Sequence, residues 1–175
     1  MLRQLSSFTL VVVGVLVMTS FVLLSTRTVS GRNSDGPTGP VARGAGTTII
    51  HGGTGSPDFL PVITTVAFHA EDSGGDTTGE FDCLAFAPDA KTPQSGQLTV
   101  NAMYVAGKIT GAIVQGDTAT LTGTASITGL GSGTNVPFTF VVHNGGPGAT
   151  ATLTVNSLSF PFNEILVQGA FQVHD

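Results

Sequence analysis

Between residues 118 and 129 the chain reads TATLTGTASITG. Thr118, Thr120, Thr122, Thr124, Ser126 and Thr128 share one parity, and Ala119, Leu121, Gly123, Ala125, Ile127 and Gly129 share the other. A strict period of two predicts a half-buried β-strand with its threonines in water. Gly123, in mid-run, marks a place for a bend or bulge. The same alternation recurs on both sides. Val66, Phe68 and Ala70 oppose Thr65, His69 and Glu71 in a strand over 62–71, and 80–87 is a second strand. Leu98, Val100, Ala102 and Tyr104 form an apolar face opposite Gln97, Thr99 and Asn101. Ala106-Gly107 is short enough for a two-residue hairpin leading into 108–115, and Gly116-Asp117 suits a type II′ turn into the threonine strand.

Further on, Phe138, Phe140 and Val142 face inward, with Thr139 and His143 outward. Ala151, Leu153 and Val155 then face inward, and the parity slips at Asn156-Ser157, which suggests a bulge. In the last strand Ile165, Val167, Gly169, Phe171 and Val173 form the core face against Glu164, Gln168, Gln172 and His174. About eight strands with turns every eight to twelve residues predict an all-β fold, an antiparallel sandwich or an up-and-down barrel.

Residues 8–24 break the alternation. This run of 17 apolar residues predicts one N-terminal hydrophobic helix, either a signal peptide or a membrane anchor, and both send the chain into export. The residues that follow are rich in Gly, Ser, Thr and Pro and read as a linker, apart from a short strand signal at 47–51. The expected organisation is a leader over 1–25, a flexible linker over 26–57 and an all-β domain over 58–175. The domain is then extracellular or at the cell surface, with membrane contact only through 8–24.

Composition supports a sheet protein: 24 glycines, no tryptophan and 10% charged residues. Charge is uneven. From Gly44 onward two basic residues face ten acids, 2 − 10 = −8. An acidic domain without a basic stripe argues against nucleic acid as a partner. Cys83 is the only cysteine, so no intrachain disulfide forms, and its parity with Phe81 and Ala85 points to a buried thiol.

Candidate chemistry is sparse. His69 and Glu71 lie two apart on one strand face, as two metal ligands would, with a third to come from His51, His143 or His174. Asp72, Asp76, Glu80 and Asp82 gather round one loop and offer oxygens to calcium, but in no ordered calcium-loop spacing. An exposed polar pair and a solvated acidic turn account for both patterns. The expectation is therefore no metal and no cofactor, with His69, Glu71, Asp72 and Asp76 as the residues that would carry a metal site. No nucleophile elbow or Cys–His signature is present, and the glycine-rich stretches 129–135 and 144–148 join strands. The chain is not expected to be an enzyme.

Gly96-Gln97-Leu98, Lys108-Ile109-Thr110, GDTATLTGTA at 116–125, Phe138-Thr139-Phe140, NGGPG at 144–148 and VQGAFQVH at 167–174 form an ordered series. In this series the chain resembles a group of short exported bacterial all-β domains of uncharacterised function, over about residues 66–174. Where that group carries Asp before the Asn-Gly turn, this chain has His143. The resemblance implies a surface module without established chemistry. Residues 7–12, SFTLVV, resemble the start of type IV pilins, with Ser7 in place of Gly and Val12 in place of the acidic residue. The leading expectation is an exported, non-catalytic surface, structural or adhesive module with cell-surface or self-association contacts. The alternatives are a small-ligand-binding barrel, motivated by the small inward residues Ala119, Gly123 and Ala125, and a pilin-like subunit.

Overall fold

The computed structural model describes residues 39–50, 62–88 and 98–174. They form eight strands: β1 (Gly39–Ile50), β2 (Val62–Ser73), β3 (Asp76–Pro88), β4 (Leu98–Gln115), β5 (Thr118–Gly129), β6 (Gly133–His143), β7 (Thr150–Val155) and β8 (Phe162–Val173). Each pairs antiparallel with the next, and β8 pairs with β1, so the sheet is a closed up-and-down barrel. Closure removes both sheet edges and satisfies the backbone ladder all round. The fold is all-β, as its alternation predicts, and of the two expected architectures it is the barrel. The apolar run 8–24 lies outside the described residues; among those described, no helix is long and apolar enough to cross a membrane.

Direct cross-strand partners run from Ala42 through Ala70, Gly79, Ile109, Gly123 and Phe138 to Val155. That line starts near the beginning of β1 and leaves at the end of β7, so the strands are strongly inclined to the barrel axis. The interior is filled by phenylalanine. Phe171, Phe68, Phe140, Phe81 and Phe138 form a chain of ring contacts with centroids 4.9–5.6 Å apart. Glycines on other strands make room for them. A Cβ on Gly44 would stand 2.7 Å from the Phe171 ring, and one on Gly107 2.7 Å from that of Phe138. An apolar inside and a threonine-rich outside reverse the pattern of a membrane-spanning barrel, whose lipid-facing wall is apolar.

Several expectations are corrected. The stretch 39–50 is not linker but strand β1, registered on both β2 and β8. Ala106-Gly107 is no hairpin: both sit inside the 18-residue strand β4, opposite Asp82 and Phe81 on β3. The two errors cancel in the count, so eight strands emerge from a different set. On β4 Met103, Val105 and Ile109 face inward, while Tyr104 points outward, where its Oη donates to Asp82 Oδ1 at 2.7 Å.

A further correction concerns β8. Thr47 pairs with Gln168 and Thr48 with Leu166, so Val167 is bulged out of the ladder. The bulge switches parity. Before it Phe162, Glu164 and Leu166 face the core; after it Phe171 does, while Ile165 and Val167 are exposed. Residues 156–161 turn the chain between β7 and β8, which accounts for the parity slip at Asn156-Ser157 without a bulge there.

Turn chemistry follows the expected glycines. Gly116 has φ +60° and Asp117 does not share it, as a type II′ turn requires. Gly74 and Gly75 both have positive φ (67° and 94°), the pattern of a type I′ hairpin. A Cβ on Gly75 would meet nothing within 4 Å. Gly75→Ala should therefore cost only backbone strain, about 1–2 kcal/mol in a denaturant titration.

Candidate functional site

Among the described residues three polar or charged side chains are buried: Thr48, Thr64 and Glu164. They meet on the inner wall where β8, β1 and β2 adjoin. Thr48 and Thr64 are direct cross-strand partners, so their side chains leave the sheet side by side. Glu164 reaches them from β8, where it shares the inward parity of Phe162 and Leu166. Glu164 Oε2 lies within hydrogen-bonding distance of both hydroxyls, 2.5 Å from Thr48 Oγ1 and 2.9 Å from Thr64 Oγ1. The two hydroxyls also contact each other. Burial raises the Glu164 carboxyl above its ordinary value, and the hydrogen bonds from Thr48 and Thr64 only partly oppose it.

Cys83 is a free, buried thiol beside this group. Burial pushes it well up, with the Glu164 and Asp82 charges adding to the effect and a hydrogen bond with Thr64 opposing it. Since burial is the largest cause, the thiol stays protonated whatever the charge on Glu164. It is a core residue rather than a nucleophile.

The residues with metal-ligand spacing lie elsewhere. His69 and Glu71 project outward from β2 into a shallow concavity of about 400 Å³ on the wall of β2, β3 and β4, with Thr78, Glu80, Lys108 and Thr110. His69 pairs directly with Glu80, and Glu80 with Lys108, so a row of alternating chemistry crosses three strands. All six side chains are exposed. Asp72 takes the opposite parity, and its Oδ1 accepts a hydrogen bond from Gly75 N at 3.0 Å, bracing the hairpin. Asp76 is exposed opposite Ser73 on the far side of that turn. The structure thus brings His69 and Glu71 together and separates Asp72 and Asp76 from them. Among the described residues, no group of three or more His, Cys, Asp or Glu is placed to hold a metal ion.

The other histidines do not converge. His143 Nδ1 lies 2.9 Å from Thr118 Oγ1 on the outer wall, and His174 is exposed beyond the end of β8. His51 lies outside the described residues. The cluster that sequence reasoning missed is Glu164 with its two threonines. Its one signal was the spacing Phe162-x-Glu164-x-Leu166, an acid on the parity of two large apolar residues.

Fold and interior together define a closed eight-stranded up-and-down barrel with a phenylalanine core and, among the described residues, one buried carboxyl. Compared with known protein families, curated proteins and solved structures, the chain matches none.

Proposed function

We propose that this chain is an exported, non-catalytic β-barrel module that works through its outer wall, as a surface, structural or adhesive unit. The observation that supports this most is where the material of the barrel is spent. The inside holds interlocked phenylalanines, with rings filling the space that Gly44 and Gly107 leave. The outside offers exposed threonines and a polar concavity at His69, Glu80 and Lys108. The export half of the reading rests on the apolar run 8–24.

Two measurements test it. Amino-terminal sequencing of protein from medium and from membranes should find it in one or both; protein confined to the cytoplasm would sink the export reading. Beads coated with the protein should bind cells or one another, and the triple variant His69→Ala, Glu80→Ala, Lys108→Ala should lose most of that retention. Equal retention by the variant would remove the concavity from the reading.

A small-ligand-binding barrel is the second reading, favoured by the polar cluster at Thr48, Thr64 and Glu164 on the inner wall. Native mass spectrometry of the purified protein would then show a bound small molecule that Glu164→Gln releases.

A further inference from the structure

Proton counting at the buried cluster carries an inference that depends on neither functional reading. Three oxygens, Thr48 Oγ1, Thr64 Oγ1 and Glu164 Oε2, stand in mutual hydrogen-bonding contact, which makes three bonds. Two hydroxyls supply two protons. Were Glu164 ionised, both hydroxyls would donate to the carboxylate, and their own contact would set lone pairs against lone pairs. The third proton is the carboxyl's own. With it, each oxygen donates once and accepts once round the ring.

We propose that Glu164, held as a carboxylic acid in this ring of oxygens, is a pH-sensitive latch on the β8–β1–β2 seam, closed while protonated and loosened when the proton leaves. The seam is where the barrel closes, because Thr48 belongs to β1, Thr64 to β2 and Glu164 to β8. Among the described residues, no cation stands near it to neutralise the carboxylate. β1 presents Thr48 and Ile50, β2 Thr64 and Val66, β3 Cys83 and Ala85, and β7 Ala151 and Leu153. The single titratable group among these is the Cys83 thiol, itself neutral. Arg43, His69, Lys108, His143 and His174 are all exposed. Losing the proton leaves a negative charge in an apolar interior without a cation, a costly arrangement.

The sign follows from linkage. The folded state keeps the proton at pH values where the unfolded chain, with an ordinary Glu near about 4.3, has released it. The Glu164 contribution is therefore fully present below that value and is lost as pH rises through the raised folded value. Thermal unfolding of the full chain from about pH 4 to about pH 9 should show a midpoint that falls with pH in the wild type. In Glu164→Gln, which keeps the shape and a donor but cannot ionise, that fall should be absent. Cys83, the single thiol of the chain, reports the opening: at alkaline pH a thiol reagent should label it several-fold faster in the wild type than in the variant. Parallel pH profiles and equal labelling rates would overturn the proposal. Should the variant fail to fold, infrared spectroscopy of the wild type decides alone. At neutral pH a protonated carboxyl band should be present and should vanish on alkaline titration; its absence at neutral pH would overturn the proposal equally.

Discussion

A chain beginning at residue 58 is expected to show no cooperative unfolding transition, whereas one beginning at Ser34 keeps it. The shorter chain lacks β1, which is hydrogen-bonded on one side to β2 and on the other to β8. Its loss reopens the barrel and exposes two long edges, each a template for pairing with another chain. It also strips the inner wall. Gly44 lies against Phe171 and Phe68, Gly46 against Leu166, and Thr48 against Glu164. Three large apolar side chains then meet water, and the buried acid loses one of its two hydroxyl partners. Fully burying one such apolar side chain is worth about 1.5–3 kcal/mol, against a whole-domain stability of about 5–15 kcal/mol. Together these losses, about 5–9 kcal/mol, take up a large part of that margin. Circular dichroism during heating, with size-exclusion chromatography of both chains, checks it. A sigmoidal melt of the shorter chain at the midpoint of the longer one would show that β1 is an accessory.

The outcome for β1 illustrates what was legible and what was not. Strands β5, β6 and β7 carry both halves of their own pattern, threonines outside and Leu121, Phe140 or Leu153 inside, so their faces can be read directly. In β1 the inward positions before the final Ile50 are Ala42, Gly44, Gly46 and Thr48, because the large side chains that fill that part of the barrel come from β2 and β8. A strand whose inner face is glycine looks like a tether when read alone. Gly107 misleads for the same reason: it resembles a turn residue, yet it is small because the Phe138 ring occupies its side-chain space. In β8 the difficulty is different. The Val167 bulge reverses parity within one strand, so a single-phase reading puts Glu164 in water and Ile165 in the core. Local pattern thus revealed the class of fold. The strands defined by their neighbours, and with them the buried carboxyl, were beyond it.

Phe140→Ala is expected to be the most damaging single substitution in the interior, at about 3–5 kcal/mol. Phe140 is fully buried between Leu121 and Leu153 on the adjacent strands. Its ring meets Phe68 at 5.2 Å and Phe81 at 4.9 Å, so it links the two ends of the aromatic chain. A closed ring of backbone hydrogen bonds resists collapse into the vacated volume, which favours the upper part of the range. At about 3 °C per kcal/mol for a domain of this size, the midpoint should drop by about 10–15 °C. Phe160→Ala supplies the comparison, since that ring is half-buried in the β7–β8 connection, and its one aromatic contact among the described residues is edge-on with Phe162 at 5.4 Å. It should cost less than half as much. Scanning calorimetry of both variants beside the wild type separates two views of the interior. A large loss for Phe140→Ala means that the rings are a packed core and the outer wall is left to do the work. A loss below about 1 kcal/mol means that the surroundings have room to adjust, and it would turn the argument towards a barrel that holds a ligand.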